Sequence, residues 1–281
     1  MSTFRSAART MCGIGLLSMM AVSAWSCAPT KQDEDLLTEP ERNAAGAAVQ
    51  STSALAQTAG ATSVVSTSQP PTAKPALATS GVAGCPVLTI SPAEGTATFN
   101  VSLDFDGGCP LPDQTEPVCS GSTSGQIDFS TQHVNLTFQA LSCDSAPSLD
   151  GTVDLNYSVA DSSITLDGTW DLTFTTAEDQ SRITGPGTVI FDTAAQVVTI
   201  SQFEGQLTRG ADTSNITVDS VVISLADNPS LTPSAGTIRL DGGLLRQFTI
   251  RFNENSPSTR VVEVSIFGLI FVPIDLDTFD L

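Results

Sequence analysis

The side chains that could do chemistry are few, and they limit what the chain can catalyse. One histidine, His133, and one tyrosine, Tyr157, occur in 281 residues. Imidazole-based catalysis must therefore run through His133. It stands in STQHVNLTF, where Val134, Leu136 and Phe138 alternate with polar neighbours, so it shares the wet face of a strand with Asn135 and Thr137. No G-x-S-x-G nucleophile motif accompanies it, and a serine-hydrolase reading finds no marked serine. Asp104, Asp106 and Asp113 cluster around LDFDGG, and Asp275, Asp277 and Asp280 cluster at the C-terminus. The first group lacks the regular third ligand and the later Glu of an EF-hand. With 30 acidic residues in the chain, such clusters read as solvated turns. No catalytic residue, metal or cofactor is expected, and the chain is not read as an enzyme.

Six cysteines carry more information. Cys12 lies in an N-terminal apolar stretch and Cys27 at its end, leaving Cys85, Cys109, Cys119 and Cys143. Four cysteines in an exported domain read as two disulfides with three possible connectivities. Cys85 to Cys109 and Cys119 to Cys143 both span 24 positions. A turn centred near Thr131 would bring Cys119 and Cys143 together across a hairpin. That symmetry favours sequential pairing, with nested pairing through CPLPDQTEPVC as the next choice. Zinc is disfavoured, because no C-x-x-C pair exists.

The first 26 residues explain why export is expected. Arg5 and Arg9 supply a charged start, Met11 to Ala24 an uncharged apolar stretch, and Ala24 and Ser26 small residues for a peptidase. The stretch is short of the about 20 residues that a transmembrane helix needs. Ala24, Trp25, Ser26 and Cys27 together resemble the lipobox of bacterial lipoproteins, with bulky Trp25 departing from the pattern. The resemblance covers the signal alone. It implies a diacylglyceryl group on the Cys27 thiol and an acylated amine, and multiple chains give stable anchoring. Ala28 stands where that family's inner-membrane retention signal would place Asp, so the resemblance implies the outer membrane. A soluble periplasmic or secreted protein is the alternative.

Residues 27–84 are expected to form a low-complexity tether. Ala, Thr, Ser, Gln and Pro dominate, and there are few large apolar side chains to offset the entropy of ordering. A flexible coil of that length would reach about 40 Å; weak helix around Ala44 to Leu55 is the other possibility. Once Arg5 and Arg9 are removed, nine basic residues face 30 acidic ones, which argues against nucleic acid and against anionic lipid.

From Cys85 onward the pattern alternates. Ala97, Phe99, Val101, Leu103 and Phe105 share one strand face; so do Val153, Leu155, Tyr157 and Val159, and Ile164, Leu166, Trp170, Leu172 and Phe174. Further strands are predicted over 187–192, 197–207, 215–225, 236–241, 246–253 and 260–272. Phase slips place β-bulges near Ser201–Gln202 and Asp219–Ser220. The final strand contains IFGLIFV, apolar on both faces, and should be central or covered. Trp170 and Tyr157 lie on apolar faces, which leaves no aromatic platform for sugars. Asn100, Asn135, Asn156 and Asn215 begin N-x-S/T triplets that would matter only in a glycosylating host.

Residues 85–281 are therefore expected to form one all-β domain. The architecture is an antiparallel meander making a sandwich or strongly curved sheet, with a closed up-and-down barrel as the alternative. The function expected is that of a non-enzymatic envelope module, contacting the membrane through its anchor and an envelope protein through its surface. A carrier of an apolar ligand in a β cavity is the alternative.

Overall fold

The structure, a computed structural model, describes residues 37–67, 78–79, 86–93, 97–105, 108–110, 118–143, 147–175, 180–226, 228, 230–242, 245–268 and 270–279. Alternation of apolar and short polar residues drives most of this chain into strands. Val153, Leu155 and Tyr157 are buried while Thr152, Asp154, Asn156 and Ser158 between them are exposed. In chain order the strands are β1 (Ala78–Thr79), β2 (Val87–Pro92), β3 (Phe99–Asp104), β4 (Cys109–Pro110), β5 (Val118–Asp128), β6 (His133–Cys143), β7 (Ser148–Ala160), β8 (Ser163–Thr175), β9 (Gln180–Asp192), β10 (Val197–Arg209), β11 (Asp212–Ser224), β12 (Ala235–Gly242), β13 (Leu245–Phe252), β14 (Val261–Ile266) and β15 (Phe271–Asp275).

All fifteen belong to one antiparallel sheet whose spatial order follows the sequence, with β4 paired only to β5. The path ends at β1 and β15 without joining them, so the fold is the curved meander and not the closed barrel. Both expected bulges are present. The β9–β10 register shifts between Ile200 and Gln202, and the β11–β12 register between Asp219 and Val222. Cys119 and Cys143 face each other across β5 and β6 and form a disulfide. Cys109 is also disulfide-bonded; Cys85, its expected partner, lies outside the described residues.

One long helix corrects the tether reading. Residues Glu39–Ser66 form α1, 28 residues long, and 21 of them are buried. The helix touches β3, β5, β6 and β8 through β13, so the sheet curls around it. Its length, about 42 Å at 1.5 Å per residue, is close to the about 43 Å of a 13-residue strand.

Composition misled here for a physical reason. A helix enclosed by a sheet must be thin, because the inward Phe, Leu, Ile and Trp side chains of the strands already fill the space. Eight alanines and two glycines meet that need. Five of the seven hydroxyls are hidden by bonding back to the helix's own carbonyls: Ser51 to Ala48, Thr52 to Val49, Thr58 to Ala54, Ser63 to Gly60 and Ser66 to Thr62, at 2.6–3.0 Å. Two longer bonds join the helix to its surroundings. Ser53 Oγ donates to the Leu231 carbonyl at 3.3 Å, and the Cys143 N–H donates to Gln57 Oε1 at 3.2 Å.

The start of α1 is held by charge. Glu41 accepts from the Thr38 N–H and hydroxyl, both at 2.8 Å, closing one side of a capping box. It also takes a two-pronged bond from Arg246 of β13, Nε at 2.7 Å and Nη2 at 2.6 Å. Burial pushes the Glu41 carboxyl up, but the bonds from Arg246 and Thr38 and the Arg246 charge outweigh it, leaving its pKa at about 2 against an ordinary 4.5. A carboxylate depressed in this way stabilises the fold above its unfolded value, and that stability is lost as pH falls from about 4.5 through about 2. Acidification across that window should cost roughly 1–3 kcal/mol, discounted because Arg246 is exposed to solvent. Denaturant melts should show that loss in the natural chain and a flatter pH dependence in Glu41→Gln; equal slopes would remove Glu41 from the account.

The last predicted strand, 260–272, is two strands. β14 and β15 are joined by a turn in which Phe267 and Gly268 have φ of 59° and 69°. β15 is therefore an edge strand rather than a central one. Pro273, which cannot donate to a further strand, suits that position.

Candidate functional site

Several ionisable pairs lie on the polar outer face of the sheet. His133, at the start of β6, lies beside Asp154 of β7, because the register sets Asn135 opposite Asp154 and His133 opposite Asn156. The His133 ring Nε2 and Asp154 Oδ1 are 2.6 Å apart, and their side chains are 40% and 55% exposed. An open pair of this kind is screened by water. A catalytic dyad also needs a nucleophile within hydrogen-bond reach, and none joins the pair among the described contacts. The expected role for His133, a surface side chain on the wet face, matches its position.

A shallow depression of about 220 Å³ opens on the same face, lined by Asp167 of β8, Pro186, Gly187 and Thr188 of β9, and Gln202 and Glu204 of β10. Its carboxylates are occupied by neighbours. Thr188 Oγ1 donates to Asp167 at 2.6 Å, and Gln202 Nε2 donates to Glu204 at 3.0 Å. From beneath, the Trp170 indole N–H reaches the Gly187 carbonyl at 3.3 Å. Trp170 is 1% and Tyr157 6% exposed, so both aromatic polar side chains point into the core as expected. Burial, and then the Asp128 charge, push the Tyr157 phenol up. The alternation that places Asp167 outward was legible in the sequence, but its meeting with Thr188 and Glu204 needs the cross-strand register.

The acidic clusters divide. Asp277 donates its N–H to Asp275 Oδ1 at 2.9 Å and its carboxylate pairs with Arg260 at 3.1 Å, so these two residues build a capped turn. Asp104 is exposed on β3; Asp106, Asp113 and Asp280 lie outside the described residues. Among the described residues no group of three or more His, Cys, Asp or Glu is arranged to hold a metal ion. Cross-strand ion pairs, Arg182–Asp171 and Arg251–Glu263 at 2.6 Å, complete the surface. The Arg182 hydrogen bonds lower the Asp171 carboxyl against a smaller opposing effect of burial. Asn100, Asn135, Asn156 and Asn215 are all exposed on strands. Cys27 lies outside the described residues.

Comparison with protein-family models, with curated proteins and with solved structures finds no match to this chain.

The interior shows what the carrier reading would require. The face a ligand would occupy is lined by Leu166, Trp170, Phe203, Phe248 and other fully buried side chains, and α1 fills the space between them. Leu55, at the middle of the helix, is 0% exposed.

Proposed function

We propose that this chain is a non-enzymatic lipoprotein of the cell envelope, anchored through Cys27 and presenting its β domain as an interaction or structural module. The observation that carries the reading is the curled sheet filled by its own helix. The interior is occupied by packing, and outward polar side chains are paired with one another, as in His133–Asp154, Thr188–Asp167 and Arg182–Asp171. Such a surface offers contact area rather than a reaction centre. The signal-like N-terminus and the lipobox-like Ala24 to Cys27 supply the export and anchoring part. The Cys119–Cys143 disulfide suits an oxidising compartment, and no helix among the described residues is long and apolar enough to cross a membrane. The outer membrane is the proposed destination, on the strength of Ala28 after the cysteine.

Growth with a labelled fatty acid tests the anchor. The natural chain should carry label and fractionate with membranes, and Cys27→Ala should lose the label entirely. Label retained by Cys27→Ala sinks the anchor. Native mass spectrometry of residues 27–281 tests the module: a bare mass is expected, and a stoichiometric co-purifying lipid would replace this reading with the carrier.

A further inference from the structure

The turn between β14 and β15 breaks the rule that turns are polar. Phe267 is 60% and Ile270 73% exposed, the two most exposed large apolar side chains described. They sit within a run from Val264 to Ile274 that carries no charge at all, in a chain of net charge −19. Turns normally use Gly, Asn, Asp, Pro and Ser, whose backbones suit the bend and whose side chains suit water. Here Phe267 takes the left-handed conformation itself, φ 59°, which holds the side chain at the tip at a conformational cost. The other exposed large apolar residues, Val118 and Val159, are single side chains on other hairpins and need no such account.

The position of the tip identifies what covers it. The Phe267 N–H donates to the Gln247 carbonyl at 3.0 Å, so the tip lies against the start of β13. The residue before Gln247 is Arg246, which holds Glu41 in the first turn of α1 at 2.6 Å. The apolar tip and the start of α1 therefore share one corner of the fold. From that corner the chain leads back from Leu37 to Cys27 in ten residues. Even fully stretched, that segment reaches about 35 Å. An anchor at Cys27 keeps this corner within about 35 Å of the bilayer.

We infer that Phe267 and Ile270 insert into the interfacial region of the membrane that holds the Cys27 acyl chains, giving the domain a second contact and a fixed orientation. The inference rests on the anchored reading above. Two side chains are too little to hold the protein on lipid from solution. Once the anchor raises the local concentration of bilayer, the second contact forms without new affinity. Charge agrees with the choice of surface, since the uncharged tip is the part of this acidic chain least repelled by a membrane.

The test uses residues 27–281 carrying Phe267→Trp. Trp25 leaves with the signal and Trp170 is buried, so position 267 supplies the exposed indole. The chain is coupled through Cys27 to a maleimide-headgroup lipid in phosphatidylcholine vesicles. On coupling, emission should shift to the blue, brominated lipid should quench it about twofold, and aqueous iodide should lose access. Uncoupled chain mixed with the same vesicles should show none of these, and Ile270→Asp in the coupled chain should abolish lipid quenching. Ile270→Trp repeats the measurement if Phe267→Trp perturbs the turn. Iodide access unchanged by coupling overturns the inference. So does a blue shift that rises with protein concentration in the absence of lipid, which would mark a second copy as the occupant. Because coupling is chemical, failure of fatty-acid labelling in cells would remove the anchored reading while leaving this result separately readable.

Discussion

A chain that begins at residue 85 fails to form a cooperatively folded domain, although residues 85–281 contain nearly every strand. The missing part is α1. Deleting a single buried leucine side chain costs about 2–5 kcal/mol when the site cannot collapse. Loss of α1 removes Leu55, Val49, Val65 and eight alanines at once. It also uncovers the apolar faces of β8 through β13 that rest on them. A sheet curled around a vanished cylinder cannot close the gap by side-chain movement, because its curvature is set by strand pairing along its whole width. The total exceeds the about 5–15 kcal/mol by which domains are stable. Residues 85–281 should therefore show β-rich far-ultraviolet dichroism without a cooperative melt, and should bind a hydrophobic dye. A synthetic peptide of residues 37–67, added during refolding, should restore the transition and expel the dye. A shortened chain melting within a few degrees of residues 27–281 would show that α1 is an accessory.

The strands and the helix differ in how far the sequence exposes them. Strand faces are legible because a half-buried strand must alternate, and Val153, Leu155 and Tyr157 do so against Thr152, Asp154 and Asn156. The bulges at Ser201 and Ser220 are legible for the same reason, since a one-residue slip is visible against a strict period of two. Symmetric spacing about the β5–β6 turn revealed the Cys119–Cys143 bridge. α1 evades this kind of reading. Most of its residues are buried all round, so it has no continuous wet face and hence no period, and small residues with self-bonded hydroxyls look like a solvated linker. One signal was available. Thr38-Glu39-Pro40-Glu41 is a capping-box sequence with proline in the first turn, a start signal that a tether has no reason to carry. The split of the last strand was hidden by the opposite extreme: a run apolar at every position marks neither a face nor a turn. The outward position of His133 followed from alternation, whereas its approach to Asp154 depends on register between β6 and β7.

Replacing Gly151 by alanine should be among the most damaging single substitutions in the sheet. Gly151 lies within β7 between Phe138 of β6 and Leu172 of β8, at a φ of 137° that L side chains rarely adopt. A Cβ there would stand 2.2 Å from the Asp171 carbonyl oxygen and 2.9 Å from the Leu172 Cα. Both are backbone atoms of a paired strand, so no side chain can swing aside, and relief requires β7 and β8 to part. The strained backbone alone costs about 1–3 kcal/mol, and separating the strands loosens their hydrogen bonds and the packing of Leu149 and Val153 beneath. A total of about 4 kcal/mol corresponds to a fall in melting temperature of roughly 8–16 °C for a domain of this size. Gly210, in the β10–β11 turn, provides the control. It has φ 58° with nothing within 4 Å of the Cβ position, so alanine there meets only the left-handed penalty, about 1–2 kcal/mol. Thermal melts of Gly151→Ala and Gly210→Ala measured side by side separate conformational strain from close approach. If the two variants melt together, the near contact of β7 with β8 contributes nothing, and the tight curl of the sheet around α1 does not depend on a missing side chain at this position.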